Sequence, residues 1–131
     1  EWAVAYRDRL RPRLVRGGYS TDRAGWWEKV DMGKLPACWG GEVAATRMEL
    51  MRHPQICTVY CHGNVNKLVA MGRLQPDEKG NVEILDAFWV DPSGDLAPDI
   101  LVYADLISSG VERNLETAKE LYAARIEQQF A

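Results

Sequence analysis

The sequence predicts an α+β domain: a small, mainly antiparallel sheet flanked by helices and finished by a C-terminal helical pair. Three observations carry this. At helical spacing, Ile100, Leu101, Ala104 and Ile107 share a face of a helix that Pro98 opens and Gly110 closes. After the short link 110–113 a second helix follows: Asn114 suits an N-cap, Glu116 suits the first turn, and Leu115, Ala118, Leu121, Tyr122, Arg125 and Ile126 form its stripe. Upstream, residues 55–62 and 82–90 are apolar, β-branched runs of strand length. Neither helix can bury its stripe alone, so the two strands are the surface expected to receive it.

At 131 residues the chain is one domain, able to bury roughly two-thirds of its unfolded surface without disulfides or metal. Apolar residues at 47% and charged residues at 27% are the balance of a globular protein. No apolar run approaches the ~20 residues of a membrane span, and no signal-peptide pattern opens the sequence. Three cysteines, an odd count, fit reduced thiols in a cytoplasm. The absence of an initiator Met gives the expectation that the chain is part of a longer protein. Charge is segregated along the sequence: residues 1–74 carry 12 Lys+Arg against 7 Asp+Glu, whereas 75–131 carry 4 against 12.

In chain order, Trp2, Tyr6 and Leu10 mark a short helix that Pro12 interrupts. Leu14, Val15 and Tyr19 follow as an edge strand, with Gly17 and Gly18 ending that piece. Residues 22–30 read as a short helical turn in which Trp26 and Trp27 point in different directions. Gly40 and Gly41 launch a helix over 42–52, with Pro54 stopping it. Glu42 would repel a phosphate there, so close packing accounts for both glycines better than an anion site does. Residues 55–62 read as a strand covered on both faces. Val65 to Leu74 is ambiguous between helix and strand, and 77–81 is a polar, hairpin-type connection. In the 82–90 strand Val82, Ile84 and Phe88 share one face and Leu85, Ala87 and Trp89 the other, with Asp86 interrupting the first. Residues 91–98 form a loop rich in breakers.

Several constellations invite chemistry. Arg7, Arg9, Arg11, Arg13 and Arg16 are the densest basic run and the candidate nucleic-acid-binding residues, set against the simpler reading of a solvated arginine face. His53, Cys57, Cys61 and His62 raise a metal site. On a regular strand, however, Cys57 and Cys61 stand about 13 Å apart and cannot share an ion; buried thiols acting as small apolar groups fit better. Cys38 with His53 or His62 as a thiolate–imidazole pair lacks any local signature. Asp99 and Asp105, six apart, do not share a helix face. Glu42, Asp86 and Asp99 together would be the magnesium ligands of a divergent nuclease-like enzyme, the rival to a non-enzymatic reading.

Five blocks in order resemble a known family: W-G-G-E-V-A-A at 39–45, Q-I-C-T-V-Y at 55–60, G-N-V-E-I-L-D-A-F-W at 80–89, L-V-Y-A-D-L-I-S-S-G at 101–110 and R-N-L-E-T-A-K at 113–119. Together they are similar to the C-terminal domain of AbiEi-type antitoxin and transcriptional-regulator proteins of abortive-infection, type IV toxin–antitoxin systems. The resemblance implies an N-terminal winged helix, outside these residues, that binds and represses the operon's promoter. It implies a C-terminal domain, this one, that opposes a nucleotidyltransferase-like toxin without necessarily forming a stable complex with it. A homodimer is a further possibility within that scheme; a membrane partner and a cofactor are not expected.

The cysteine reading has a direct test. Protein purified without chelator is expected to show no stoichiometric zinc by elemental analysis, and one zinc per chain would overturn it.

Overall fold

The computed structural model of the protein describes residues 2–23, 25–89 and 94–127. Its first part is a single helical segment: α1 (Trp2–Ala5), a π-helical turn (Tyr6–Leu10) and α2 (Arg11–Leu14). The helix was expected to stop before Pro12; it runs through it. A proline inside a helix lacks its N–H and its ring clashes with the carbonyl four residues back. The π turn relieves this by widening the coil, and the Arg11 N–H reaches five residues back to the Tyr6 carbonyl. Ala3, Tyr6 and Leu14 face inward, while Trp2 stays about half exposed and stacks on the Tyr6 ring at 5.5 Å.

Among the described residues five strands form one sheet in the order β2-β3-β5-β1-β4. They are β1 (Val15–Ser20), β2 (Ala37–Gly40), β3 (Cys57–Cys61), β4 (Gln75–Pro76) and β5 (Val82–Asp86). All five residues of β3 are buried, as a continuous apolar run requires of a strand covered on both faces. The sheet is mostly antiparallel, but its two central strands, β3 and β5, are parallel, with Cys57 opposite Val82 and Cys61 opposite Asp86. Parallel neighbours need a crossover, and the segment between them supplies it. The ambiguous stretch after Val65 resolves as a helix, α5 (Asn66–Gly72), whose end is marked by Arg73 in the left-handed region at φ 52°.

Two expected features are corrected. β1 is not an edge strand: it lies between β5 and β4, and Gly17 and Gly18 sit inside it. Nor is 77–81 a hairpin between neighbours, because β1 separates β4 from β5. The connection instead passes over β1 against its backbone. A Cβ on Gly18 would lie 2.7 Å from the Asp77 carbonyl oxygen, and one on Gly80 would lie 1.9 Å from that of Tyr19. Gly18 permits this crossing, and neither glycine of β1 ends the strand.

One face of the sheet carries Cys57, Val59 and Cys61, with Trp39 opposite Val59. Trp39 is met edge-on by Trp26 of the helical turn α3 (Trp26–Lys29) at 5.4 Å, and the end of α5 closes on Trp26. Trp26 is buried and Trp27 only partly so, as two adjacent indoles must divide. On the other face lie α4 (Gly41–Arg47), α6 (Asp99–Ser108) and α7 (Glu112–Leu121), the last continued by a π turn (Tyr122–Ile126). Here α6 is the hub, packed against α1, α4 and α7. Pro98 and Gly110, the latter at φ 70°, bound α6 as the sequence predicts. The helix after Gly41 ends at Arg47, five residues before the expected stop, because Glu49 turns left-handed at φ 65°. The strand 82–90 likewise ends at Asp86. In the loop expected over 91–98, residues 91–93 lie outside the described residues.

Gly41 opens α4 at φ 48°, where a Cβ would also lie 2.8 Å from Thr58 Oγ1. Gly41→Val is therefore expected to cost about 1–3 kcal/mol from strain and overpacking. Gly80→Ala, whose Cβ meets rigid backbone, is expected to lose at least about 2 kcal/mol. Gly63→Ala, with open space around it, should stay within ~0.5 kcal/mol. Urea unfolding of the three variants checks the order, and equal stabilities for Gly80→Ala and Gly63→Ala would show that the loop does not press on β1.

Candidate functional site

The chemistry-bearing side chains gather where α6 crosses the sheet. Asp105, 5% exposed, projects from α6 toward β3. Its Oδ1 accepts from the Tyr60 hydroxyl at 2.8 Å and from Arg11 Nε at 3.2 Å, and its Oδ2 accepts from the Gly41 N–H at 3.2 Å. Tyr60 and Tyr6 share a short hydroxyl–hydroxyl bond. Arg11 also grips Glu83 with both terminal nitrogens, and Glu83 accepts from the Thr58 hydroxyl at 2.7 Å. Five elements thus meet on one buried network: the N-terminal helix, α4, β3, β5 and α6.

Periodicity had centred the inward face of α6 on Ala104. The buried residues are Leu101, Val102, Ala104, Asp105 and Leu106, so Asp105 stands one turn beyond Leu101 on the inward face. An apolar helix with a single carboxylate in its buried row is the signal that would have found it. Asn114 was also assigned differently. Val111, in extended geometry, caps α7, and Asn114 is 1% exposed inside the helix. It lies in register with Ala118 and Leu121, and its amide donates to Glu42 Oε2 at 3.1 Å and to Ser109 Oγ at 3.0 Å. Glu42, 6% exposed, further accepts from the Gln55 N–H at 2.8 Å and from Arg113 at 2.6 Å.

The candidate nuclease carboxylates do not converge. Glu42 is held by Arg113 and Asn114, Asp86 at the end of β5 by Arg16, and Asp99 at the start of α6 by Arg125 at 3.1 Å. Three different arginines on different elements engage them. Among the described residues no three His, Cys, Asp or Glu side chains are grouped to hold a metal ion. The arginine run is likewise divided. Arg11 is inside the buried network, Arg16 is bound to Asp86 and to the Gly63 carbonyl, and Arg7 pairs with its neighbour Asp8, while Arg9 and Arg13 are exposed.

The electrostatics are those of a closed network. Burial, then the Asp105 charge, pushes the Tyr6 and Tyr60 hydroxyls above the usual phenol range. Burial also pushes the Cys38 and Cys57 thiols up to about 12, far from a reactive thiolate. His53 lies exposed beyond α4, and His62 sits edge-on to Trp89 at 5.3 Å. Burial opposes the Arg11 charge, yet the hydrogen bonds of Glu83 and the charge of Asp105 outweigh it and hold the guanidinium above its ordinary value. For Asp105 the balance runs the other way: burial raises its pKa from 3.8 to about 6, against the lowering by Arg11 and Tyr60.

That shift has a sign. A carboxyl raised in the fold contributes stability that is complete below about 3.8 and is lost as pH rises through about 6. Asp105→Asn removes the titration. The stability advantage of the wild type over this variant is therefore expected to shrink between pH 4 and pH 7, by an amount on the order of 2–3 kcal/mol. Urea unfolding at both pH values measures it, and an unchanged gap would show that Asp105 does not titrate in this window.

The comparisons with known proteins give a family of regulators. A family model described as transcriptional regulator, AbiEi antitoxin, type IV TA system matches residues 1–129. No curated protein and no solved structure matches the chain. The five sequence blocks fall on the end of β2 and the start of α4, on β3, β5, α6 and α7; of the elements of the buried network they include all but the N-terminal helix. With the match running across nearly its whole length, the chain belongs to the AbiEi antitoxin family of type IV toxin–antitoxin transcriptional regulators.

Proposed function

We propose that this domain is the non-enzymatic antitoxin half of a two-part regulator, and that it opposes a nucleotidyltransferase-like toxin in the cytoplasm. The observation that carries the reading is the engagement of every candidate catalytic carboxylate. Glu42, Asp86 and Asp99 each serve a separate arginine, and Asp105 spends both oxygens on Tyr60, Arg11 and Gly41. A general base or a magnesium site needs acceptors directed at substrate, whereas these are directed at the fold.

In this proposal promoter binding belongs to a winged helix outside these residues. Two features support that division. α6 contains no basic residue, and in α7 Arg113 and Lys119 alternate with Glu112, Glu116 and Glu120, which is the wrong charge for a helix inserted in a groove. Of the arginine run, Arg9 and Arg13 are the exposed members without an ion pair of their own among the described residues. Two phosphate contacts give a log–log salt slope of only about −1.8, too shallow and too weak to sustain binding at physiological ionic strength. No helix among the described residues is long and apolar enough to cross a membrane.

The test compares this domain with the full-length protein at matched salt. Labelled promoter DNA is expected to bind the full-length protein and not the domain, while co-expression of the domain relieves growth arrest by the cognate toxin. Tight, sequence-selective DNA binding by the domain alone would overturn the division of labour and restore Arg7, Arg9, Arg11, Arg13 and Arg16 as a nucleic-acid site.

A further inference from the structure

The helix at the hub of the helical layer, α6, is apolar on its outward side as well as its inward one. Asp105 and Leu101 stand on the row turned to the sheet. At about 100° per residue, Ile100, Tyr103 and Ile107 fall within about 60° of one another and roughly opposite Asp105. All three are partly exposed, and the helix contains no Lys, Arg or Glu. A surface helix ordinarily turns polar residues outward. The apolar surface also extends past α6. Tyr122, 39% exposed, lies against the Tyr103 ring at 5.7 Å, and Val4 of the N-terminal helix is 37% exposed. We infer that this face is where a second copy of the chain docks, about a twofold axis running along α6.

Charge selects the occupant. The N-terminal helix and α7 each pack on α6 but make no comparable packing with each other, so they lie on different flanks of it. On the N-terminal helix Arg9 and Arg13, four residues apart, are exposed and carry no ion pair among the described residues, while Asp8 neutralises Arg7. That flank is left with two positive charges. On α7 Glu112, Glu116 and Glu120 recur every fourth residue and are exposed, against Lys119 as the exposed cation, since Arg113 is held by Glu42. Three carboxylates against one lysine leave that flank with two negative charges.

In a twofold dimer each contact occurs twice, with the roles of the two copies exchanged. A twofold along α6 lays the N-terminal helix of each copy over α7 of the other, so opposite charges meet at both rims around an apolar centre. A twofold across α6 would set arginines on arginines and carboxylates on carboxylates. Nucleic acid would meet repulsion from α7, and an acidic segment of another protein would satisfy the arginines while facing the α7 carboxylates. A second copy matches both flanks at once. The inference does not depend on the identity of the toxin or on where promoter DNA binds.

The test is sedimentation equilibrium of the 131-residue chain across a concentration series. At low salt the mass is expected to rise toward twice the 14.8 kDa of one chain, and to fall back as added salt screens the rims. Ile107→Lys places an ammonium group in the apolar centre and should weaken association at least about tenfold, with the circular dichroism spectrum unchanged. The rims are read separately, from substitutions that leave the core alone. Arg9→Glu with Arg13→Glu, and in another chain Glu116→Arg with Glu120→Arg, should each be monomeric, because like charges then meet at both rims. An equimolar mixture of the two variants should dimerise, since every rim contact is again between opposite charges. A chain that stays monomeric up to about 1 mM at low salt would overturn the interface. So would dimers indifferent to Ile107→Lys. Association of the Arg9→Glu, Arg13→Glu variant with wild type but not with the α7 variant would overturn the twofold along α6.

Discussion

One buried carboxylate fixes how the layers of this domain sit on each other. Asp105 is carried by α6, yet its acceptors are filled from β3 by Tyr60, from the N-terminal helix by Arg11 and from the entry to α4 by the Gly41 N–H. An unpaired carboxylate there would be prohibitively costly. Each donor is therefore required in place, and the position of α6 over the sheet is determined by hydrogen-bond geometry as well as by packing. The apolar contacts alone are less exacting, because the inward residues of α6 are small and medium aliphatics that would tolerate a shift along the axis.

The same constraint explains the irregular N-terminal helix. Arg11 has to reach both Asp105 and Glu83, and Tyr6 has to reach Tyr60, from a helix that carries Pro12. The π turn over Tyr6–Leu10 lets one helix accommodate the proline and deliver both side chains to the same buried network. Buried ion pairs of this kind add little net stability compared with well-packed apolar groups. What they supply here is register: helix to sheet through Arg11 and Glu83, and helix to helix through Arg113 and Glu42.

Charge segregation along the sequence is largely cancelled in three dimensions. Arg11 and Arg16 of the basic half bind Glu83, Asp105 and Asp86 of the acidic half, and Glu42 of the first half binds Arg113 of the second. The two halves are thus complementary surfaces of one core rather than opposite poles of a bipolar molecule. Part of the arginine-rich segment is thereby accounted for, since Arg11 and Arg16 are used within the fold.

The sequence by itself determined the α+β class, a fully covered strand within 55–62, the bounds of α6 at Pro98 and Gly110, and the family, because these depend on local periodicity, on breakers and on the order of five short blocks within 131 residues. It did not reveal that β3 and β5 run parallel, that β1 lies between β4 and β5, or that Pro12 is carried inside a helix; each depends on pairings between residues far apart in the chain. Nor did it reveal the network around Asp105. Asp105, Tyr60 and Arg11 come from segments separated by 45 and 94 positions, and no local pattern records which buried polar groups will meet. Only the tertiary structure decides that, because the desolvation cost of each group is met by partners that sequence spacing does not bring together.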